Sequence, residues 1–162
     1  MTPEQCVNNL RSTKEYFDRS TRTLTEAHSG FAPAEGAFTA AQQVAHVAQT
    51  IDWFVEGATR PEGFDMDFAA HITAVSGIKS LAEARAWLDR SFKNAATWAK
   101  SKTAQELATP LPQGPIMGGA PRFAIISAIE EHTAHHRGAL SVYSRLLGLT
   151  PPMPYMETAQ VS

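Results

Sequence analysis

The sequence has little of several features that would point to a particular class of protein. Cys6 is the single cysteine among 162 residues, which excludes an intramolecular disulfide framework and fits a reducing compartment. The 14 basic residues do not outnumber the 16 acidic ones, so no cationic surface for nucleic acid is indicated. No apolar run approaches the ~20 residues of a transmembrane helix, and the N-terminus lacks a signal-peptide pattern. We therefore expect a cytoplasmic protein without nucleic-acid or membrane partners.

The period-two alternation that marks β-strands is also missing, and helical patterns take its place. Four segments show helical apolar periodicity, and they run from about residue 3 to 28, 40 to 57, 81 to 100 and 121 to 148. The connections 58–79 and 101–120 contain many prolines and glycines, so we expect them to be irregular, with one helical turn in the first. Four helices with long crossover connections predict an all-α four-helix bundle, and residues 1–162 are expected to form a single domain.

The last of these segments carries two histidines on its apolar face. That face consists of Ile125, Ile129, Leu140, Tyr143 and Leu147. His132 and His136 fall in the middle of it, one helical turn apart. An unpaired buried polar group is costly, and one divalent metal held by both ring nitrogens would satisfy the two histidines together. Hydrogen bonds to backbone or water would also satisfy them, so the spacing leaves both interpretations open. The metalloprotease motif is absent, because Thr133 stands where that motif has a glutamate.

His46, in the second helix, is the next candidate for a metal ligand. It lies on the face opposite the apolar stripe of that helix, where an exposed histidine is the simpler interpretation. Trp53 on the same face nevertheless indicates that the face is at least partly covered, so a role as third ligand stays open. His28 and His71 are expected to be bystanders. From helical facing alone, the candidate pocket residues are Gln42, Gln49, Trp53, Ile129, His135 and Tyr143.

Three stretches in combination are typical of one family. The second helix contains Ala45-His46-Val47-Ala48 followed by Trp53-Phe54, the last helix contains His132-Thr133-Ala134-His135-His136-Arg137-Gly138, and the chain then continues with Leu147-Gly148 and Pro151-Pro152-Met153-Pro154-Tyr155. Over nearly its whole length the sequence resembles the DinB family, the DinB/YfiT-like four-helix bundles of bacteria. The resemblance implies a metal triad of His46, His132 and His136. Members commonly have a glutamine after the Arg-Gly pair, where this chain has Ala139.

The resemblance also implies a range of chemistry. Related bundles include metal-dependent hydrolases, S-transferases that use low-molecular-weight thiols, and a thiol-dependent maleylpyruvate isomerase. Three neutral imidazoles leave the charge of a divalent ion uncompensated and one position open, so the ion can lower the pKa of a bound water to about 7 or hold a thiol as thiolate. Zinc and nickel both suit imidazole ligands.

Two functional interpretations follow. The first is a metal-dependent hydrolase or thiol-dependent S-transferase that acts on a small electrophilic substrate, with no general base that the sequence identifies. The second is a non-catalytic, stress-associated bundle that binds a metal or another ligand. The family leads us to expect a homodimer in either case.

Overall fold

The structure, a computed structural model, describes residues 1–156 as helices joined by loops. The helices are α1 Pro3–Thr21, α2 Ala40–Gly57, α3 Phe68–Ser76, α4 Leu81–Lys100, α5 Ala104–Ala108 and α6 Ala124–Leu146. A 3-10 turn spans Glu26–His28, and residues 1–156 contain no β-strand. The predicted all-α class is confirmed. The last six residues of the expected single domain, 157–162, lie outside the described residues.

Four long helices, α1, α2, α4 and α6, form a four-helix bundle. Helix α1 packs beside α4 and α6, and α2 packs beside the same two helices. The sequential pairs α1/α2 and α4/α6 therefore occupy the diagonals of the bundle. A connection across a diagonal has to pass over the end of the bundle, which accounts for the long segments 22–39 and 101–123. The predicted four-helix bundle with long crossover connections is confirmed, except that the connection 58–79, which was expected to cross over, joins the neighbouring helices α2 and α4.

The core lies where the apolar stripes of these four helices meet. Its largest fully buried side chains include Leu10, Phe17, Ile51, Leu88, Ile125, Ile129 and Leu140. Each side chain of this size contributes roughly 1.5–3 kcal/mol when it leaves water, so the periodic stripes in the sequence are the main source of stability. In the part of the chain that the structure describes, no helix is both long and apolar enough to cross a bilayer.

Two helix boundaries differ from the sequence expectation. Helix α1 ends at Thr21 rather than near residue 28, because the chain turns into the 3-10 turn. There the Glu26 carboxylate and the Ser29 hydroxyl accept hydrogen bonds from the first backbone N–H groups of α4. The last helix begins at Ala124 rather than at residue 121, because the preceding backbone bonds back to residues 107–109.

The end of α6 follows the expected pattern. Gly148 takes a positive φ of 75°, which a residue without Cβ adopts at no steric cost. Its N–H bonds to the carbonyl of Arg145, and the N–H of Leu149 bonds to the carbonyl of Ser144. These two bonds form a Schellman motif and stop the helix at this point.

The connection after α2 contains a helix of nine residues, α3, where the sequence predicted one turn. Asp67 caps α3 by accepting a hydrogen bond from the N–H of Ala70. Two side chains of α2 attach this segment: the indole N–H of Trp53 donates to the carbonyl of Asp65 (2.7 Å), and the amide of Gln42 donates to the carbonyl of Ser76 (3.2 Å). Helix α3 therefore covers the face of α2 that carries His46. Similarly, α5 forms within 101–120, which was expected to be irregular.

Candidate metal centre

Three histidines from two neighbouring helices meet inside the bundle. His46 comes from α2, and His132 and His136 come from successive turns of α6. The ring centroid of His46 lies 5.0 Å from that of His132 and 4.8 Å from that of His136, and the last two are 4.4 Å apart. Each ring offers one nitrogen to a group whose members all lie within 4.8 Å of one another. The fold thus brings together the three residues that the family resemblance implied as ligands.

The separations of the ring nitrogens suit a metal site. Nε2 of His132 and Nε2 of His136 lie 3.1 Å apart. In a tetrahedral centre with metal–nitrogen bonds of about 2.0–2.1 Å, two ligand atoms are about 3.4 Å apart. The pair on α6 is therefore close to the required spacing, whereas the nitrogen of His46 has to move inward to bind the same ion. Three neutral nitrogen donors without a thiolate or carboxylate form a set that fits a divalent transition-metal ion.

Burial keeps these imidazoles neutral. Loss of solvation, followed by the nearness of the other histidines, lowers the pKa of His132 to about 4 and the pKa of His136 to about 3. Burial also lowers the pKa of His46, with a smaller contribution from His135. A histidine must be neutral to bind a metal, because the proton of the charged form occupies the lone pair. Nitrogen lone pairs are thus available at neutral pH without any loss of protons.

A chain of hydrogen bonds holds the ring of His136 through its Nδ1 atom. Its Nδ1 lies 2.5 Å from Oε1 of Gln43. The amide nitrogen of Gln43 donates to the hydroxyl of Tyr143 (3.2 Å), and that hydroxyl donates to the backbone carbonyl of Phe38 (2.8 Å). Gln43 and Tyr143 are 9% and 5% exposed. Metal-binding histidines commonly have such a partner on the second ring nitrogen.

Gln43 was not predicted as a site residue, although the sequence contains a signal for it. Gln43 lies on the apolar stripe of α2, four residues before Val47 and eight before Ile51. A polar residue in the middle of a buried stripe is the pattern that identified His132 and His136. The other ring nitrogen of His132, Nδ1, is buried without a hydrogen-bond partner among the described residues.

A pocket of about 330 Å³ opens beside the histidines. Its lining consists of His46, Gln49, Thr50, Trp53, Phe54, Phe68, His71, Ile72 and His132. Apart from the histidines these side chains are uncharged, and most are apolar or aromatic. A larger groove of about 610 Å³ lies between α1 and α4, but it contains none of the three histidines. The smaller pocket is therefore the one that a ligand of the metal centre would enter.

Two of the six predicted pocket residues, Gln49 and Trp53, line this pocket. Helical facing was misleading for the other four, because it does not show which element packs on each face. Gln42 bonds to the backbone of Thr39 and Ser76 instead. Ile129 is fully buried in the core, Tyr143 lies behind His136, and His135 is exposed with its ring 4.9 Å from that of His136.

His71, which was expected to be a bystander, lines the pocket. His71 lies on α3, the helix for which the sequence predicted a single turn. The Nε2 atom of His71 is buried without a hydrogen-bond partner in the described part of the chain, and the carboxylate of Asp65 is 4.0 Å away. His28 lies in the 3-10 turn, where its Nδ1 accepts a hydrogen bond from the N–H of Thr25.

Fold and site together define a class of protein: a four-helix bundle with a three-histidine group between two helices, beside an apolar pocket. A family model described as the DinB family matches residues 2–161, so the chain belongs to the DinB family. Comparison with curated protein sequences found no significant match.

Solved structures of three bacterial proteins resemble the fold. A DinB-like protein from Bacillus cereus has a TM-score of 0.75 at 20% identity, with 93% of this chain and 96% of that chain covered. The DinB-like protein YjoA from Bacillus subtilis has a TM-score of 0.69 at 17% identity, with 96% and 99% covered. YfiT from Bacillus subtilis has a TM-score of 0.68 at 14% identity, with 91% and 89% covered. YfiT is described as "a probable metal-dependent hydrolase with an unusual four-helix bundle topology". At these identities the likeness shows the fold alone.

Proposed function

We propose that this chain is a metal-dependent enzyme that binds one divalent ion, zinc or nickel, through His46, His132 and His136. One observation carries the proposal: three imidazoles, one buried and two half-buried, all with lowered pKa values, converge beside a pocket large enough for a small molecule. The description of YfiT as "a probable metal-dependent hydrolase" supports a metal-dependent activity for a member of this family.

The residues of the pocket suggest how the reaction would be divided between ion and protein. A bound divalent ion with an open position supplies Lewis acidity, which brings the pKa of a water or thiol into the neutral range. Among the described residues, the lining has no serine, cysteine or carboxylate, and its one hydroxyl, that of Thr50, has no hydrogen-bonded base to activate it, so the nucleophile enters as water or a small thiol. His71 supplies the pocket's imidazole outside the triad, and imidazole is the commonest general acid–base group in enzymes. The reaction is accordingly a hydrolysis or a thiol transfer.

The lining also restricts the substrate. About 330 Å³ is near the lower end of the ~300–1,000 Å³ of small-molecule pockets, so the substrate is small. No lysine or arginine lines the pocket to hold a carboxylate or phosphate. The indole N–H of Trp53 already donates to the carbonyl of Asp65, which leaves the apolar ring surface for contact. The pocket thus favours an uncharged electrophile with an apolar or aromatic body.

Two further parts of the proposal concern assembly and location. The family leads us to propose a homodimer, and Val142 and Leu146, which are exposed one turn apart on α6, offer apolar surface for it. The single cysteine, Cys6, is buried as a free thiol, which supports a reducing, cytoplasmic compartment.

Metal content is the first test, measured by elemental mass spectrometry on untagged protein. We expect about one zinc or nickel ion per chain, and we expect it to be lost in His136→Ala. His135→Ala is the matched control, since it removes an exposed neighbouring imidazole, and it should keep the ion. Metal-free protein that gains no thermal stability from added zinc or nickel would overturn the proposal.

The reaction class is tested on metal-loaded protein with two neutral probes. Hydrolysis of 4-nitrophenyl acetate reports attack by water, and conjugation of benzyl mercaptan to a bimane halide reports attack by a thiol. We expect at least one of these rates to depend on the ion and to disappear in His136→Ala. Retention of the ion with neither rate above that of His136→Ala would instead favour a non-catalytic binding protein.

A further inference from the structure

We propose that Gln43 and Tyr143 form a hydrogen-bond relay that fixes the tautomer of His136, so that its Nε2 lone pair is directed at the other two histidines. The proposal deepens the proposed function, because it identifies what prepares His136 to bind an ion. The tautomer itself is a property of the metal-free protein and can be tested without the ion. Gln43 touches neither the ion nor the substrate and is therefore a positioning residue.

The relay starts at the backbone carbonyl of Phe38. A peptide carbonyl can only accept, so the hydroxyl of Tyr143, 2.8 Å away, has to use its single proton there. The Tyr143 oxygen is then free only as an acceptor. The atom of Gln43 that faces it at 3.2 Å must be the donor, the amide nitrogen. The hydrogen bond of Tyr143 to Phe38 thus fixes the orientation of the amide, which the positions of the heavy atoms alone do not determine.

The orientation of Gln43 determines where the proton of His136 lies. With its nitrogen toward Tyr143, the amide turns its oxygen toward Nδ1 of His136 at 2.5 Å. An amide oxygen can only accept, so Nδ1 carries the ring proton. A neutral imidazole has one N–H and one lone pair, and the lone pair is therefore on Nε2. That atom lies 3.1 Å from Nε2 of His132, on the side where the three histidines meet.

The relay also ties three parts of the fold to one ring nitrogen. Phe38 belongs to the connection before α2, Gln43 to the first turn of α2, and Tyr143 to the last part of α6. The ring of Phe38 in addition lies 5.3 Å from that of His46. Because Gln43, Tyr143 and His136 are buried, a break leaves an unsatisfied polar group and does not admit a replacement partner easily.

A glutamine at this position has a specific chemical effect. Metal-bound histidines often donate their second N–H to a carboxylate, which fixes the ring and makes the ligand more basic. The amide of Gln43 supplies the acceptor without a charge, so the buried site stays neutral when no ion is bound. An aspartate or glutamate there would be a buried charge without a partner in the metal-free protein.

The direct test is nitrogen NMR of the histidine rings in ¹⁵N-labelled, metal-free protein, with signals assigned by comparison with His136→Asn. We expect Nδ1 of His136 to be protonated and Nε2 to be unprotonated. In Tyr143→Phe the amide of Gln43 can turn over, and both tautomers of His136 should appear. A protonated Nε2 on His136 in the unmodified protein would overturn the proposal.

The consequence for the ion is tested by zinc competition against a chromogenic chelator at pH 7.5. Gln43→Met keeps the length of the side chain but removes the acceptor, and zinc affinity should fall about 10- to 100-fold. Gln43→Glu restores an acceptor and should recover the affinity, because the bound ion compensates the charge that lowers the stability of the metal-free variant. Gln42→Met is the matched control: it changes the adjacent glutamine, which bonds to Thr39 and Ser76, and should bind zinc as the unmodified protein does.

Folding of each variant is checked by circular dichroism before the titration, and Tyr143→Phe serves if Gln43→Met does not fold. Zinc affinity in Gln43→Met equal to that of the unmodified protein would contradict the positioning role. If the unmodified protein binds no zinc or nickel, the proposed function fails, whereas the NMR result on His136 still decides the tautomer.

Discussion

His132 and His136 direct their Nε2 atoms at each other across 3.1 Å, one turn apart on α6. Two lone pairs at this distance repel, so something positive has to lie between them. In the metal-free protein that is a proton on Nε2 of His132, donated to His136. For a divalent ion to bind between the two Nε2 atoms, this proton would have to move to Nδ1 of His132, and His46 of α2 would be the third ligand.

The stability of the metal-free protein should fall as the solution becomes mildly acidic. The pKa values of His132 and His136, about 4 and about 3, lie below the ~6.5 of an unfolded histidine. At a pH between the lowered pKa of each folded histidine and the pKa of the unfolded one, the unfolded chain binds more protons than the folded chain. The stabilisation is therefore complete above pH ~6.5 and is lost as the pH falls toward 4 and 3. Each histidine contributes at most about 1.4 kcal/mol per pH unit in this window.

This pH dependence can be measured by urea unfolding of metal-free protein between pH 7.5 and 5, where most carboxylates do not yet titrate. His132→Gln is the comparison, because glutamine does not titrate and should flatten the profile. Parallel profiles for the two proteins would contradict the neutral, buried state of His132.

Phe68 should matter for ligand binding but not for the ion. It lines the pocket from α3, while 49% of its surface is exposed. Phe68→Ala should weaken binding of benzyl mercaptan to zinc-loaded protein by roughly tenfold, since loss of an aromatic contact of this size costs about 1–2 kcal/mol. Calorimetric titration measures the affinity and elemental analysis the zinc content. Met153→Ala, at an exposed apolar site outside the pocket, is the control and should change neither.

Substitutions of Ile129 and Ile72 should have different effects, because Ile129 lies in the core and Ile72 lines the pocket. Ile129 is fully buried, so Ile129→Ala should lower the free energy of unfolding by about 2–5 kcal/mol. Ile72 is 56% exposed and lines the pocket, so Ile72→Ala should weaken binding of the neutral probe with little effect on stability. Urea unfolding measures the stability of both variants, and calorimetric titration measures their affinity for the probe. A stable Ile129→Ala with weakened binding would mean that Ile129 belongs to the pocket after all.

Gly57 should not tolerate alanine. A Cβ at this position would lie 2.2 Å from Cδ1 of Phe64, whose ring packs 4.8 Å from that of Trp53. Gly57→Ala therefore has to displace Phe64, at a cost of about 1–3 kcal/mol. Trp53 in turn borders the pocket, so its fluorescence should change. The double variant Gly57→Ala/Phe64→Leu has a smaller side chain at position 64 and should recover part of the stability. If it recovers none, the contact with Phe64 is not the cause of the loss.

The helices and the position of two histidines on α6 were predictable because they depend on local periodicity. Apolar residues at helical spacing identify α2, α4 and α6 wherever the chain later packs. The same periodicity places His132 and His136 on one buried face. Helix α3 was missed because its residues lie between Pro61, Gly63 and Gly77, and much of its surface is exposed, so its apolar pattern is weak. The position of His71 at the pocket was missed for the same reason.

The sequence by itself determined the all-α class, the approximate helix bounds and the residues that face the core. Only the tertiary structure decided which residues of other helices pack against each helix face. It placed Gln43 against His136, which is 93 residues away along the chain, and it brought His46 to the same site under the cover of α3. The physical reason is that a helical pattern fixes the direction of a side chain only relative to its own axis, whereas the meeting of two faces depends on how the connections cross the bundle.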